Sequence, residues 1–140
     1  MKTHKASLSK KDERRWYQID ASKRPLGRVA TSIAIVLRGK HRRDFVPNKD
    51  MGDFVVAVNV DRLKLTGRKV EQKQYYRHSG YLGGLKITSL KDLLQKKPEE
   101  VLRKAVYSMV DNVKFRGKAM SRLKMVKGSK HEFKIDKELN

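Results

Sequence analysis

Apolar and polar positions fall into blocks that read as short strands and amphipathic helices. Trp16-Tyr17-Gln18-Ile19-Asp20 reads as a short buried strand, followed by a turn through Ala21, Ser22 and Lys23. Leu26, Val29, Ala30, Ile33 and Leu37 then recur at the spacing that makes one apolar helix face. Pro25 suits the first turn of that helix and Gly39 its C-terminal stop. Strand, turn and helix make the first half of a βαβ unit. Phe54 to Val60 is the most apolar run and is rich in β-branched residues, which suits a central parallel strand covered on both faces. After a short crossover through Asp61 and Arg62, Leu63-Lys64-Leu65-Thr66 reads as another strand, ending at Gly67.

The second half is mainly helical. Ser89 with Asp92 makes a capping box for a short helix bearing Leu90, Leu93 and Leu94, which ends at Lys97. Pro98 restarts a helix, with Glu99 and Glu100 where the dipole favours negative charge. Its stripe is Val101, Leu102, Ala105, Val106, Met109 and Val110, and these helices provide most of the hydrophobic cover. Ala119, Met120 and Leu123 suggest a helical turn or two, and Met125-Val126 a final strand before Gly128. At 140 residues the chain is expected to hold one α/β domain, residues 16–131, between a basic arm, 1–15, and a tail, 132–140, whose mixed signs say little.

Charge sets the functional class. Lys and Arg number 35 against 15 Asp and Glu, a formal net charge of +20 that calls for a polyanionic partner, by default nucleic acid. The cations cluster. Arg38, Lys40, His41, Arg42 and Arg43 follow the first helix, and the helix dipole accounts for only one or two of them. Lys49, Arg68, Lys69, Lys73 and Lys86 flank the loops beyond. From Asn112 through His131 no acid interrupts Lys114, Arg116, Lys118, Arg122, Lys124, Lys127 and Lys130, whereas an ordinary surface mixes signs.

One stretch adds shape to charge. Tyr75, Tyr76, Arg77, His78, Ser79, Gly80, Tyr81, Leu82, Gly83 and Gly84 combine rings for stacking, a guanidinium for phosphate and glycines that admit a close backbone. Strand alternation divides Tyr75 from Tyr76, so one of the pair is expected to be buried.

Catalytic constellations are missing. The chain has no cysteine, no P-loop pattern and no Gly-x-Gly-x-x-Gly after a candidate first strand. His4, His41, His78 and His131 lie in four separate basic segments, without metal-ligand spacing, and read as RNA-facing or solvated. Asp50 and Asp53, with Gly52 between them, fit turn chemistry better than a cation site. His78-Ser79 adjacency does not make a dyad. The expectation is therefore no active site, no metal, no cofactor and no small-molecule substrate. No run supplies the about 20 apolar residues of a membrane span, which points to cytosol or an organellar matrix.

These residues also carry a resemblance. Trp16-Tyr17 with Asp20-Ala21, Leu26-Gly27-Arg28-Val29-Ala30, Leu37-Arg38-Gly39-Lys40-His41, Gly52-Asp53, Leu65-Thr66-Gly67, Tyr75 to Tyr81 with Gly83-Gly84, and Lys97-Pro98-Glu99 follow the order and spacing of the large-subunit ribosomal protein L-thirteen family, bacterial type, over about Trp16 to Gly128. The resemblance implies a three-layer α/β fold with a mostly parallel four-stranded sheet flanked by helices. It further implies a non-catalytic, cytoplasmic, ribosome-bound role, binding large-subunit (23S-type) rRNA early in assembly, as a monomer beside neighbouring large-subunit ribosomal proteins. Some family members act off the ribosome on messenger RNA, a regulatory alternative; an RNA-processing enzyme would need clustered acids or a nucleotide loop.

The family's Gly-Met-Leu-Pro after the long helix is replaced here by Ser108-Met109-Val110-Asp111-Asn112, one residue longer, which implies a changed loop path. Phe133 stands where the family commonly has histidine, and Asn48 likewise. On this reading, replacing Arg38, Lys40, Arg42 and Arg43 with Ala lowers the salt slope of RNA binding by up to about 0.9 per lost phosphate contact.

Overall fold

A computed structural model describes residues 14–139; of the expected arm, 1–15, all but Arg14 and Arg15 lies outside them. Strand β1 (Trp16–Asp20) leads through Pro25 into helix α1 (Leu26–Arg38), whose first turn carries no acid and no side-chain cap. Its far end is closed by Gly39 in the left-handed conformation, φ 80°, with backbone bonds back to Ile35 and Val36. Strand β2 (Phe54–Val58) returns parallel to β1, pairing Trp16 with Phe54 and Asp20 with Val58. Val55, Val56, Ala57 and Val58 are all buried, as expected of a strand covered on both faces.

The chain then makes a 3-10 turn (Val60–Arg62), a one-turn helix α2 (Lys69–Gln72) and an antiparallel hairpin of β3 (Gln74–His78) and β4 (Leu85–Ser89). Helices α3 (Leu90–Lys96), α4 (Pro98–Met109) and α5 (Val113–Ser121) follow, before strands β5 (Leu123–Met125) and β6 (Lys137–Leu139). The main sheet runs β5-β2-β1-β6 and is parallel throughout. Helix α1 packs on one face through Val29, Ala30, Ile33 and Leu37, with α4 and α3 stacked beyond it, and this block is the hydrophobic core. Against the other face lies the segment between β5 and β6, where Phe133 stacks on Trp16 and Trp16 on Phe54, at 5.2 and 4.4 Å between ring centroids. The result is a three-layer α/β fold.

Two sequence readings change. Leu63–Thr66 is not a strand: only an isolated bridge joins Lys64 to Pro25, with the Leu26 amide donating to the Lys64 carbonyl at 2.9 Å. Parallel strands need a crossover of a dozen or more residues, and Asp61-Arg62 is far too short to provide one. The tail, in contrast, supplies the edge strand β6, tied down where the Trp16 amide donates to Asp136 at 2.8 Å and the Asp136 amide to the Trp16 carbonyl at 2.9 Å. Phe133 forms one end of the Trp16 stack.

The helix boundaries follow local chemistry. Ser89 caps α3, accepting from the Asp92 amide at 3.1 Å while its hydroxyl donates to the Asp92 carboxylate at 2.7 Å. Pro98 opens α4 in its first turn, ahead of Glu99 and Glu100. The divergent loop bends at Asn112, φ 56°, whose side chain accepts from the Lys114 amide and so starts α5.

Candidate nucleic-acid interface

Cations that sequence alone treats as equivalent divide into two populations. The first is turned inward beneath the C-terminal end of α1. Arg38 is 4 % exposed; it donates to the Pro47 carbonyl at 3.2 Å and its guanidinium lies 5.6 and 5.7 Å from the Phe45 and Phe115 ring centroids. Arg122 is 3 % exposed and forks onto Asp50 at 2.8 and 2.7 Å, with a third bond to the Leu37 carbonyl at 3.1 Å. Arg42 and His41 converge on the fully buried Asp53, His41 through Nε2 at 2.8 Å with its ring edge-on to Tyr17. Asp53 also accepts from the Arg15 amide at 3.0 Å. Close packing here requires Gly52, because a Cβ at that position would run into the Leu37 carbonyl and the Arg122 guanidinium.

These contacts correct several sequence readings. Arg38 and Arg122, expected on the RNA surface, are buried and anchor the domain instead, and Arg42, half-buried, is paired with Asp53. Their planar guanidinium groups match a carboxylate or an aromatic face better than the point charge of lysine does. Asp50 and Asp53 are counter-ions in this network rather than turn formers. Burial opposes ionisation of Asp50, but the Arg122 hydrogen bonds and charge, with Arg14 nearby, hold its carboxyl below the ordinary carboxylate range. Hydrogen bonding to Asp53 raises Arg42 still further above its usual value. Lys40 pairs with Asp111 of the divergent loop, lowering that carboxyl too. His131, expected to be RNA-facing or solvated, has Nε2 2.9 Å from Gln18 Oε1 on β1 and sits beside Phe133. The four-residue Ala substitution around Arg38 therefore reports on folding before it reports on RNA.

The second population faces outward. On the β3–β4 hairpin, Tyr76 pairs across from Ile87 and His78 from Leu85, whereas Tyr75 and Arg77 point to the opposite face with Thr88 and Lys86. Tyr75 packs against the core, below the ammonium groups of Lys73 and Lys104 at 5.3 and 4.6 Å, and burial raises its phenol. Tyr76 is 65 % exposed, so the pair divides as expected. At the tip, Gly80 and Gly83 hold positive φ of 90° and 71°, and the Gly80 amide donates to His78 Nδ1 at 2.9 Å. Gly84 crosses so close to the Ser79 hydroxyl that a Cβ would displace it. The outcome is a tightly turned tip that projects Tyr81, 80 % exposed, and Leu82 into solvent.

Arg77 and Lys86 on the hairpin, Arg68, Lys69 and Lys73 before it, Lys114 and Lys118 on α5, Lys124 on β5, and Arg43, Lys49 and Lys130 in loops are exposed. Among the described residues none of them is ion-paired. Arg116 is intermediate, donating to the Val110 carbonyl at 3.1 Å over the Tyr107 ring, and Lys127 lies 3.7 Å from Glu99. Arg28 and Lys64 were missed by sequence reasoning and belong to the exposed set. Two signals could have found them: Arg28 occupies a first helical turn where the dipole favours acid, and Lys64 interrupts an apolar run. No three His, Asp or Glu side chains gather into a metal-binding group among the described residues.

Fold and surface together define an α/β protein that holds one set of cations inside to brace its core and presents another, interleaved with rings, to solvent. Residues 14–132 match the family model described as ribosomal protein L13. The chain is 50% identical over 131 residues to the large ribosomal subunit protein uL13 of Roseiflexus sp. (strain RS-1), covering 94% of this chain and 89% of that one. It is also 50% identical over 119 residues to the uL13 protein of Clostridioides difficile (strain 630), covering 85% and 83%. The chain belongs to the ribosomal protein L13 family.

Proposed function

We propose that the outward cations and the hairpin tip hold large-subunit, 23S-type rRNA, with the chain acting as a monomer within the ribosome. The chain is a structural constituent of the large ribosomal subunit, bacterial in type and bound to the ribosome in the cytoplasm, and its family is structural rather than catalytic. The observation that carries the RNA reading is the division just described. Cations paired with Asp50 and Asp53 complete the fold, while those on α5, β5 and the hairpin have no carboxylate to neutralise them among the described residues. Phosphates supply that neutralisation and release counter-ions as they do so. Tyr76, His78 and Tyr81 add faces for unpaired bases or sugars at the hairpin, where sequence-selective RNA contacts concentrate. Leu85 and Ile87, exposed beside Tyr76, offer apolar surface to a neighbouring large-subunit protein.

Replacing Tyr76 and Tyr81 together with Ala tests the hairpin. Base stacking is worth about 1–3 kcal/mol per ring, so the doubly substituted chain should bind a 23S rRNA fragment at least about tenfold more weakly while keeping its melting temperature. Unchanged affinity would remove the rings from the interface.

A further inference from the structure

The N-terminal end of α1, the C-terminal end of α4 and the loop before α2 enclose a groove of about 710 Å³. That volume lies within the roughly 300–1,000 Å³ range of sites that hold small molecules. Its rim carries Arg28, Lys64, Lys69 and Lys73, and among the described residues no Asp or Glu lines it. Its floor is apolar, with Leu65 half-buried and Met109 39 % exposed. The Thr31 hydroxyl reaches the Met109 sulfur at 3.4 Å, which sets that flexible thioether across the groove between the two helices.

We infer that this groove takes an unpaired nucleotide, its base on the Leu65–Met109 floor and its flanking phosphates on the four rim cations. The inference rests on the RNA-binding reading and adds a site to it. A rim with four positive charges and no negative one selects an anionic occupant. The floor selects further. An A-form duplex presents a rigid, convex backbone and keeps its bases stacked inside, so it meets the rim but leaves the apolar floor empty. An acidic peptide carries its carboxylates on flexible stems and has no flat apolar body behind them. An extruded nucleotide has both parts, a π-face for the floor and phosphates on either side of it.

Met109 of α4 lines the groove and is 39 % exposed, so Met109→Gln makes the floor polar at similar size, without altering charge or adding a ring. The full chain would be titrated with single-stranded octauridylate, an RNA duplex of equal phosphate number, and polyglutamate as competitor, with circular dichroism confirming the fold of the variant. Met109→Gln is expected to weaken octauridylate binding about tenfold, the loss of one base contact, and to leave duplex binding within twofold. Lys64→Gln with Lys69→Gln, folded by the same criterion, is expected to weaken octauridylate binding more than duplex binding. Unchanged octauridylate affinity in Met109→Gln, or an equal loss for both RNAs, overturns the proposal. Polyglutamate competing as well as octauridylate assigns the groove to an acidic peptide and overturns it too. If the groove fails while the unaltered chain still binds 23S rRNA fragments, only this inference falls; if the unaltered chain binds no RNA, the broader reading falls with it.

Discussion

Asp50→Ala is expected to cost the domain about 3–5 kcal/mol, because it leaves the Arg122 guanidinium buried with only the Leu37 carbonyl for company. Against a total stability of about 5–15 kcal/mol that is a large fraction, corresponding to a fall in melting temperature of about 10–25 °C. Replacing the pair outright, Asp50→Leu with Arg122→Met, should be milder, since no charge is then left uncompensated. A double substitution less stable than Asp50→Ala would contradict this account. The same pair gives a pH signature. Asp50's folded carboxyl titrates below its unfolded value of about 3.9, so its contribution is fully present above about pH 4 and is lost as pH falls through the depressed value. Unfolding followed from pH 6 downward should therefore show a steep acid limb that flattens in Asp50→Asn.

The second large effect concerns RNA. Lys114, Lys118, Lys124 and Lys130 are exposed and lack acidic partners among the described residues, so converting all four to Gln should leave the melting temperature within about 2 °C. Affinity for a 23S rRNA fragment should fall steeply. The plot of log affinity against log salt should lose up to about 0.9 of slope for each phosphate contact removed from a duplex. Arg122→Gln, drawn from the same acid-free stretch of sequence, is expected to behave in the opposite way, with a large loss of stability. If Arg122→Gln lowered the salt slope at preserved fold, the division into inward and outward cations would be wrong.

That division explains how much was legible in the sequence. Helices α1 and α4 and strand β2 were readable because their apolar spacing, Pro25, Gly39 and Pro98 are local signals that the packing reinforces. The alternation that separates Tyr75 from Tyr76 is equally local. Edge strand β6 was not readable, since three residues of mixed sign gain their order from hydrogen bonds to β1, more than a hundred positions away. Nor does composition distinguish Arg122 from Lys124. Only the closure of β5 against β2 brings the former beneath the end of α1 and beside Asp50. A hint was available in Asp50 and Asp53, two acids with glycine between them, lying between the basic cluster after α1 and strand β2. Two carboxylates so placed can serve as counter-ions as readily as turn formers.

The central claim is that the outward surface has a shape suited to rRNA and not merely a charge. It is tested most directly by binding the full chain to 23S rRNA fragments and to unrelated structured RNA of matched length over a series of salt concentrations. The account predicts a preference for particular rRNA fragments that persists as salt rises, since stacking on Tyr76 and Tyr81 does not depend on counter-ion release. Equal binding to both RNAs, collapsing together with salt, would contradict it.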